Sequence, residues 1–196
     1  MSVRKLISII LITVGAGICL YAAFQFSVAY FQQDKMLKEA KAFVSDEVIS
    51  RDELTAKDTK PAVYDDLKEG DSIGILYIPR LDREIPIIEG THEDELAKGV
   101  GHFSSTALPG QNDQILLSGH RDTVFRQYGE LEHGDEIHVK MKNGTFVYTI
   151  YDTEIVDADD RTVIRSTAPD EILTLSTCYP FSYIGSAPDR YIIYAK

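Results

Sequence analysis

Cys178 and Arg190 lie twelve positions apart in the C-terminal part of the chain, and their setting suits acyl-transfer chemistry. The cysteine closes an apolar, β-branched run, Leu173-Thr174-Leu175-Ser176-Thr177-Cys178-Tyr179-Pro180. The arginine opens a second run, Arg190-Tyr191-Ile192-Ile193-Tyr194. A thiol attacks as thiolate and needs a base or a positive charge beside it. An arginine offers a fixed fork of donors suited to the oxyanion of a tetrahedral intermediate. The segment Gly185-Ser186-Ala187-Pro188-Asp189 has turn chemistry, so the chain can double back. Two adjacent strands would then present Cys178 and Arg190 side by side. A plainer reading stands beside this one: a core cysteine, among the most buried residue types, and an arginine paired with Asp189 at the surface.

The base must come from five histidines: His92, His102, His120, His133 and His138. His138 alternates with Ile137 and Val139, which reads as the solvated face of a strand. His133 lies in the polar turn Glu132-His133-Gly134-Asp135. His92 follows Thr91 at a helix start. His102 precedes Phe103 in a loop, with no role legible from its neighbours. His120 differs, because Ser118-Gly119-His120-Arg121-Asp122 directly follows the apolar run 114–118. The glycine before it permits a tightly turned, exposed backbone. A residue at a strand's exit is placed to face a cleft. Only one other cysteine is present; Cys19 lies in the apolar N-terminal run, so no bridge to Cys178 is expected.

The elements that must position these residues are short strands. Residues 73–79 and 84–88 read as strands around an Arg80-Leu81-Asp82-Arg83 turn, and 114–118 as a third. Residues 93–98 suggest a turn or two of helix capped by Thr91, and 123–131 a second short helix. Residues 136–141 and 145–156 alternate apolar with polar around Asn143-Gly144, a strong hairpin signal. Strands with closely spaced turns point to an all-β sandwich or barrel with small helices inserted.

Ahead of this domain, residues 6–33 carry no charge. A bilayer needs roughly 20 such residues, whereas the apolar core of a signal peptide has about 7–15. The run therefore reads as an uncleaved transmembrane anchor, although Ser27-Val28-Ala29 resembles a cleavage site. Arg4 and Lys5 would stay in the cytoplasm, leaving the C-terminal bulk outside. Residues 34–68 read as a stalk and linker: an amphipathic helix with Leu37, Ala40, Phe43 and Val44 on one face acts as a spacer, followed by a stretch containing Pro61. The domain proper spans 69–196. From Asp34 onward the chain holds all 31 acidic residues, against the 20 basic ones less Arg4 and Lys5. That balance argues against nucleic acid and against anionic lipid head groups as partners.

Thr174-Leu175-Ser176-Thr177-Cys178 resembles the TLxTC signature of sortases, the cell-wall transpeptidases of Gram-positive bacteria. Arg190 stands where their essential arginine does, and Ser118-Gly119-His120-Arg121-Asp122 is similar to the segment holding their essential histidine. Tyr179-Pro180-Phe181, Tyr183-Ile184-Gly185, Ala187-Pro188 and Arg190-Tyr191 look most like the class D branch of bacilli and clostridia. The resemblance covers about residues 72–196. It implies a closed, eight-stranded β-barrel with short inserted helices, behind an N-terminal transmembrane helix and helical stalk. It implies that Cys178 cuts an LPxTG- or LPxTA-like sorting signal after its threonine, and that an amine resolves the thioacyl-enzyme. That amine belongs to a peptidoglycan precursor or another acceptor. His120 would act as acid and then base, Arg190 would hold the oxyanion, and Ser118 and Thr177 would contact the substrate.

The resemblance implies no cofactor. Some sortases bind calcium through loop acids; the places for it here are Glu93-Asp94-Glu95 or Asp157, Asp159 and Asp160. The second set lacks the glycine and bidentate glutamate of an EF-hand loop. Acidic clusters are commonly solvated surface, and no metal is expected. The alternative from another class is a membrane-tethered extracellular binding module with a structural cysteine. Papain-type, zinc-hydrolase and G-x-S-x-G signatures are absent from the chain.

Overall fold

The computed structural model of the chain describes residues 3–45, 64, 67–183 and 185–196. Among them one long helix, α1 (Val3–Ser45), precedes strands β1 (Ser72–Ile78) and β2 (Arg83–Glu89), the one-turn helix α2 (Glu93–Leu96), and β3 (Val100–His102). Then come β4 (Gln114–Ser118), β5 (Glu136–Met141), β6 (Gly144–Asp157), β7 (Ile172–Tyr179) and β8 (Asp189–Ala195). The strands close into a barrel in the order β1-β2-β3-β4-β7-β8-β6-β5, with β1 pairing back onto β5. The expectation of a closed eight-stranded barrel holds.

Local pattern explains most of these strands. Along β5, Ile137, Val139 and Met141 point inward while Glu136, His138 and Lys140 point out, the two-residue period of a half-buried strand. Met141 pairs with Gly144, so Lys142 and Asn143 form the two-residue turn and the positive φ of +142° falls on Gly144. Leu76, Ile78, Ile87, Leu117, Leu173, Leu175 and Ile193 line the barrel interior, each at most 1% exposed. Each such side chain contributes roughly 1.5–3 kcal/mol by leaving water.

Two pairings are parallel, β2 with β3 and β4 with β7. A parallel pair cannot be joined by a tight hairpin and needs a crossover. For the first, residues 90–99 supply it and contain α2; for the second, the β5–β6 hairpin lies in between. β3 is three residues long, too short to leave a period in the sequence. His102 therefore sits in a strand rather than a loop. It is 2% exposed, with Nδ1 2.7 Å from Glu89 Oε2 and Nε2 3.0 Å from the Ala107 carbonyl.

The small helices differ from expectation. The N-cap of α2 is His92 rather than Thr91, and no side chain caps it. Residues 123–131 form successive turns ending in a 3₁₀ turn, Tyr128–Glu130. The chain there wraps one carbonyl: the amides of Thr123 and Phe125 both approach His120 O, at 3.4 and 3.1 Å.

α1 runs unbroken past residue 33. The segment Ile7–Val44 is long and apolar enough to cross a membrane by length and composition. Its distal part is not a free spacer. Ala40 is fully buried, Lys41 Nζ lies 2.6 Å from Glu84 Oε2, and Gln33 Nε2 donates to Ala97 O at 3.5 Å. Lys142 Nζ lies 5.9 Å from the Phe43 ring centroid. The part of the helix that carries Ala40 and Phe43, read as a spacer, meets β1 and β2. Of the stalk and linker read over 34–68, residues 46–63, 65 and 66 lie outside the described residues.

Candidate active site

The antiparallel ladder between β7 and β8 pairs Cys178 directly with Arg190. Strand alternation then separates Cys178, half-buried, from its neighbour Thr177, which is 2% exposed. Both residues open onto a cleft of about 420 Å³, which is also lined by Ser118, His120, Leu96 and Ile164. All five residues singled out from the sequence, Ser118, His120, Thr177, Cys178 and Arg190, border this one space. The other four histidines do not. His92 is held 3.1 Å from Glu69, His138 lies 2.9 Å from Glu136 Oε2 on the barrel's outer face, and His133 is exposed in its turn.

β4 carries His120 to the cleft. Its parallel pairing with β7 ends at Ser118 opposite Ser176, and two further bonds continue the contact. Gly119 N donates to Ser176 O at 3.1 Å, and Thr177 Oγ1 donates to Gly119 O at 2.7 Å. The glycine at 119 is needed for packing, not for a special turn. A Cβ there would lie 2.7 Å from Val124 Cγ2 and 2.9 Å from the Phe125 ring. The His120 imidazole is about a third exposed, and Glu93 Oε1 lies 3.6 Å from its Nε2.

Thr177 lines the cleft, and its hydroxyl donates to Gly119 O. Ser118 is half-buried at the cleft wall. Arg190 makes no ion pair with Asp189 among the described residues. Its Nη1 donates instead to the backbone carbonyls of Asp189 and Ala187, at 3.0 and 3.4 Å. The guanidinium is thus held on one side by backbone.

Three sets of residues not singled out from the sequence shape the site. The first is Asp113 with Gln114, legible only as a turn and a strand start. Asp113 accepts from the amides of Gln114, Thr167 and Ala168 and from Ser166 Oγ. Those backbone donors hold its carboxyl below the usual range. Gln114 donates to Val163 O and Thr174 Oγ1 and accepts from the Arg165 amide. Together they tie down the segment between β6 and β7, whose Asp160, Arg161, Val163 and Ile164 wall the cleft.

The second is an aromatic set. Tyr179 stacks on Tyr191 with centroids 6.1 Å apart, and Phe181 meets both edge-on. The third is Arg121, 6% exposed, which donates to Pro180 O and Gly185 O at 3.0 Å each. No sequence signal marks it, because both acceptors are backbone atoms about sixty residues away.

The two acidic sets considered for calcium are differently placed. Glu95 is buried in α2, whereas Asp157 and Asp160 accept local hydrogen bonds from Asp159 N and from Thr162. Among the described residues no three His, Cys, Asp or Glu side chains gather as a metal site.

Comparison with known proteins gives the same fold and more. The sortase-domain family model matches residues 76–196. Sortase D of Bacillus subtilis (strain 168) is 43% identical over 194 residues, covering 98% of both chains. Among solved structures, a Clostridium perfringens Sortase D5 transpeptidase superposes with a TM-score of 0.68 at 28% identity, over 84% of this chain and 97% of that one. The catalytic domain of B. anthracis SrtD superposes with a TM-score of 0.58 at 46% identity, over 69% of this chain and 92% of that one. The chain therefore belongs to the sortase family of cysteine transpeptidases, as a class D homologue.

Proposed function

We propose that this chain is anchored in the membrane by α1, with the barrel outside the cell. There Cys178 cuts an LPxTG- or LPxTA-like sorting signal and passes the protein to a cell-wall amine. The observation that carries the reading is the cross-strand pairing of Cys178 with Arg190 at a cleft also lined by His120. The Cys178 thiolate attacks the threonine carbonyl carbon of the signal. The oxyanion that forms faces the Arg190 donors, whose stabilisation matters most where charge develops. Collapse breaks the C–N bond after threonine, and the imidazolium of His120 gives its proton to the departing amine. A thioester to Cys178 remains. An acceptor amine gives its proton to His120, attacks the thioester and expels the thiolate. One amide is exchanged for another, and the enzyme is restored.

Thr177 serves this site by holding Gly119, and Ser118 borders the bound peptide. The absence of charge from residue 6 to 33, with Arg4 and Lys5 ahead of it, supports the inside-to-outside direction.

The test uses the full chain in detergent, LPxTG- and LPxTA-type peptides, a panel of amines, and mass spectrometry. Cleavage after threonine, a peptide adduct on Cys178 and an amine-linked product are expected, all lost in Cys178→Ala. Cleavage that survives Cys178→Ala would overturn the reading.

A further inference from the structure

His120 lies beyond the last ladder pair of β4, so no sheet hydrogen bond fixes it. Among the described residues its side chain makes one ion-pair contact, to the exposed Glu93 at 3.6 Å, and no hydrogen bond. The imidazole is therefore aimed by its backbone, and what holds that backbone matters. On one side Gly119 is tied to β7 through Ser176 O and the Thr177 hydroxyl. On the other side is Arg121. Its guanidinium is buried, and its one ion pair among the described residues is a long one, to the exposed Asp122, with Oδ1 3.6 Å from Nε. Nε itself is buried without a hydrogen-bond partner among the described residues. A buried ion pair of this kind is weak evidence of a role in stability.

The two remaining arms of the fork reach Pro180 O and Gly185 O, both in the loop that leaves Cys178 and returns to Arg190. The Tyr183 ring of that loop lies 5.9 Å from the guanidinium carbon.

We propose that Arg121 is a positioning residue. It joins the turn carrying His120 to the loop between Cys178 and Arg190, and so holds the imidazole across the cleft from the thiol. This rests on the catalytic roles proposed above. A planar fork is required because the acceptors belong to residues five apart in sequence; a lysine ammonium is a point donor on a flexible stem.

The experiment is single-turnover acylation of the full chain in detergent by an LPxTG-type peptide over a range of concentrations, beside thermal unfolding. Arg121→Met, Arg121→Lys, His120→Ala and the double variants are compared. Misplacing a reacting group by about 1 Å costs up to ~10²-fold. Arg121→Met is expected to lower the maximal rate about 10–100-fold, with the half-saturating peptide concentration within about threefold of the parent. Arg121→Lys is expected to fold and to recover only a minor part of that loss. If Arg121 acts through His120, then Arg121→Met or Arg121→Lys added to His120→Ala should cost almost nothing further. Should Arg121→Met fail to fold, the Arg121→Lys cycle carries the same test. Losses that multiply in the double variant, or a near-parental rate in Arg121→Lys together with Arg121→Met, would overturn the proposal. A near-parental rate in His120→Ala alone would instead overturn the catalytic reading beneath it.

Discussion

Thr177 separates a residue that touches substrate from one that holds the site together. Thr177→Val keeps the shape and the β-branched side chain but removes the hydroxyl. Thr177 is 2% exposed, and its hydroxyl lies 2.7 Å from Gly119 O. Without it that carbonyl loses a buried donor, which costs about 1–3 kcal/mol. At about 2–4 °C per kcal/mol for a chain of this size, the corresponding drop in Tm is about 2–12 °C. The same bond ties the strand carrying Cys178 to the turn carrying His120. Its loss should therefore slow the maximal acylation rate several-fold and leave the half-saturating peptide concentration nearly unchanged. Thr177→Ser keeps the bond and loses one methyl group, about 0.8 kcal/mol of burial, so it should acylate almost like the parent. The assay is single-turnover acylation beside thermal unfolding. A Val variant with unchanged Tm and a raised half-saturating concentration would show that the hydroxyl serves the peptide, and the positional argument would fail.

Three further outcomes follow from the geometry. Arg190→Ala should slow acylation by roughly 10²–10³, the effect of losing an oxyanion donor, while Arg190→Lys should restore little because the fork is gone; near-parental acylation in the Ala variant would remove Arg190 from the site. Burial pushes Glu89 up, but hydrogen bonds from His102 and Ser104 and the charge of His102 outweigh it, leaving the carboxyl below 4.5. A carboxyl lowered on folding stabilises above its unfolded value and loses that contribution as pH falls. Tm should thus decline below about pH 4.5, and Glu89→Gln should flatten that decline; an equal slope in the variant would contradict the pairing. Ala40→Glu places a charge at a fully buried contact of α1 and should free the helix from the barrel. Trypsin should then cut at Lys35, Lys38 or Lys41 at least about tenfold faster than in the parent, with barrel Tm nearly unchanged; equal cutting rates would mean that the helix is not held there. That factor corresponds to about 1.4 kcal/mol of docking, a modest value for displacing a buried side chain.

Much of the barrel was legible because strand chemistry is local. Ile137, Val139 and Met141 announce their inward face by a period of two, and Asn143-Gly144 announces the turn beside them. The twelve-residue spacing of Cys178 and Arg190 around a turn-forming loop was enough to set them opposite each other. What stayed hidden was carried by contacts without a local pattern. β3 has three residues, fewer than a period needs, so His102 looked like a loop residue. The helix around Ala40, Lys41 and Phe43 looked like a spacer because its partners, among them Glu84 and Lys142, lie forty or more residues later in the chain. Gly119 looked like a flexible turn residue, but the crowding of Val124 and Phe125 decides its identity.

Residue types and spacings thus determined the chemistry available to this protein: one thiol, one arginine and one imidazole at strand ends. Tertiary structure alone decided how they are held. The bonds that do it, Thr177 to Gly119 and Arg121 to Pro180 and Gly185, span 58, 59 and 64 residues. They end on backbone carbonyls, which every residue carries, so no side-chain pattern records which carbonyl a distant hydroxyl or guanidinium will meet.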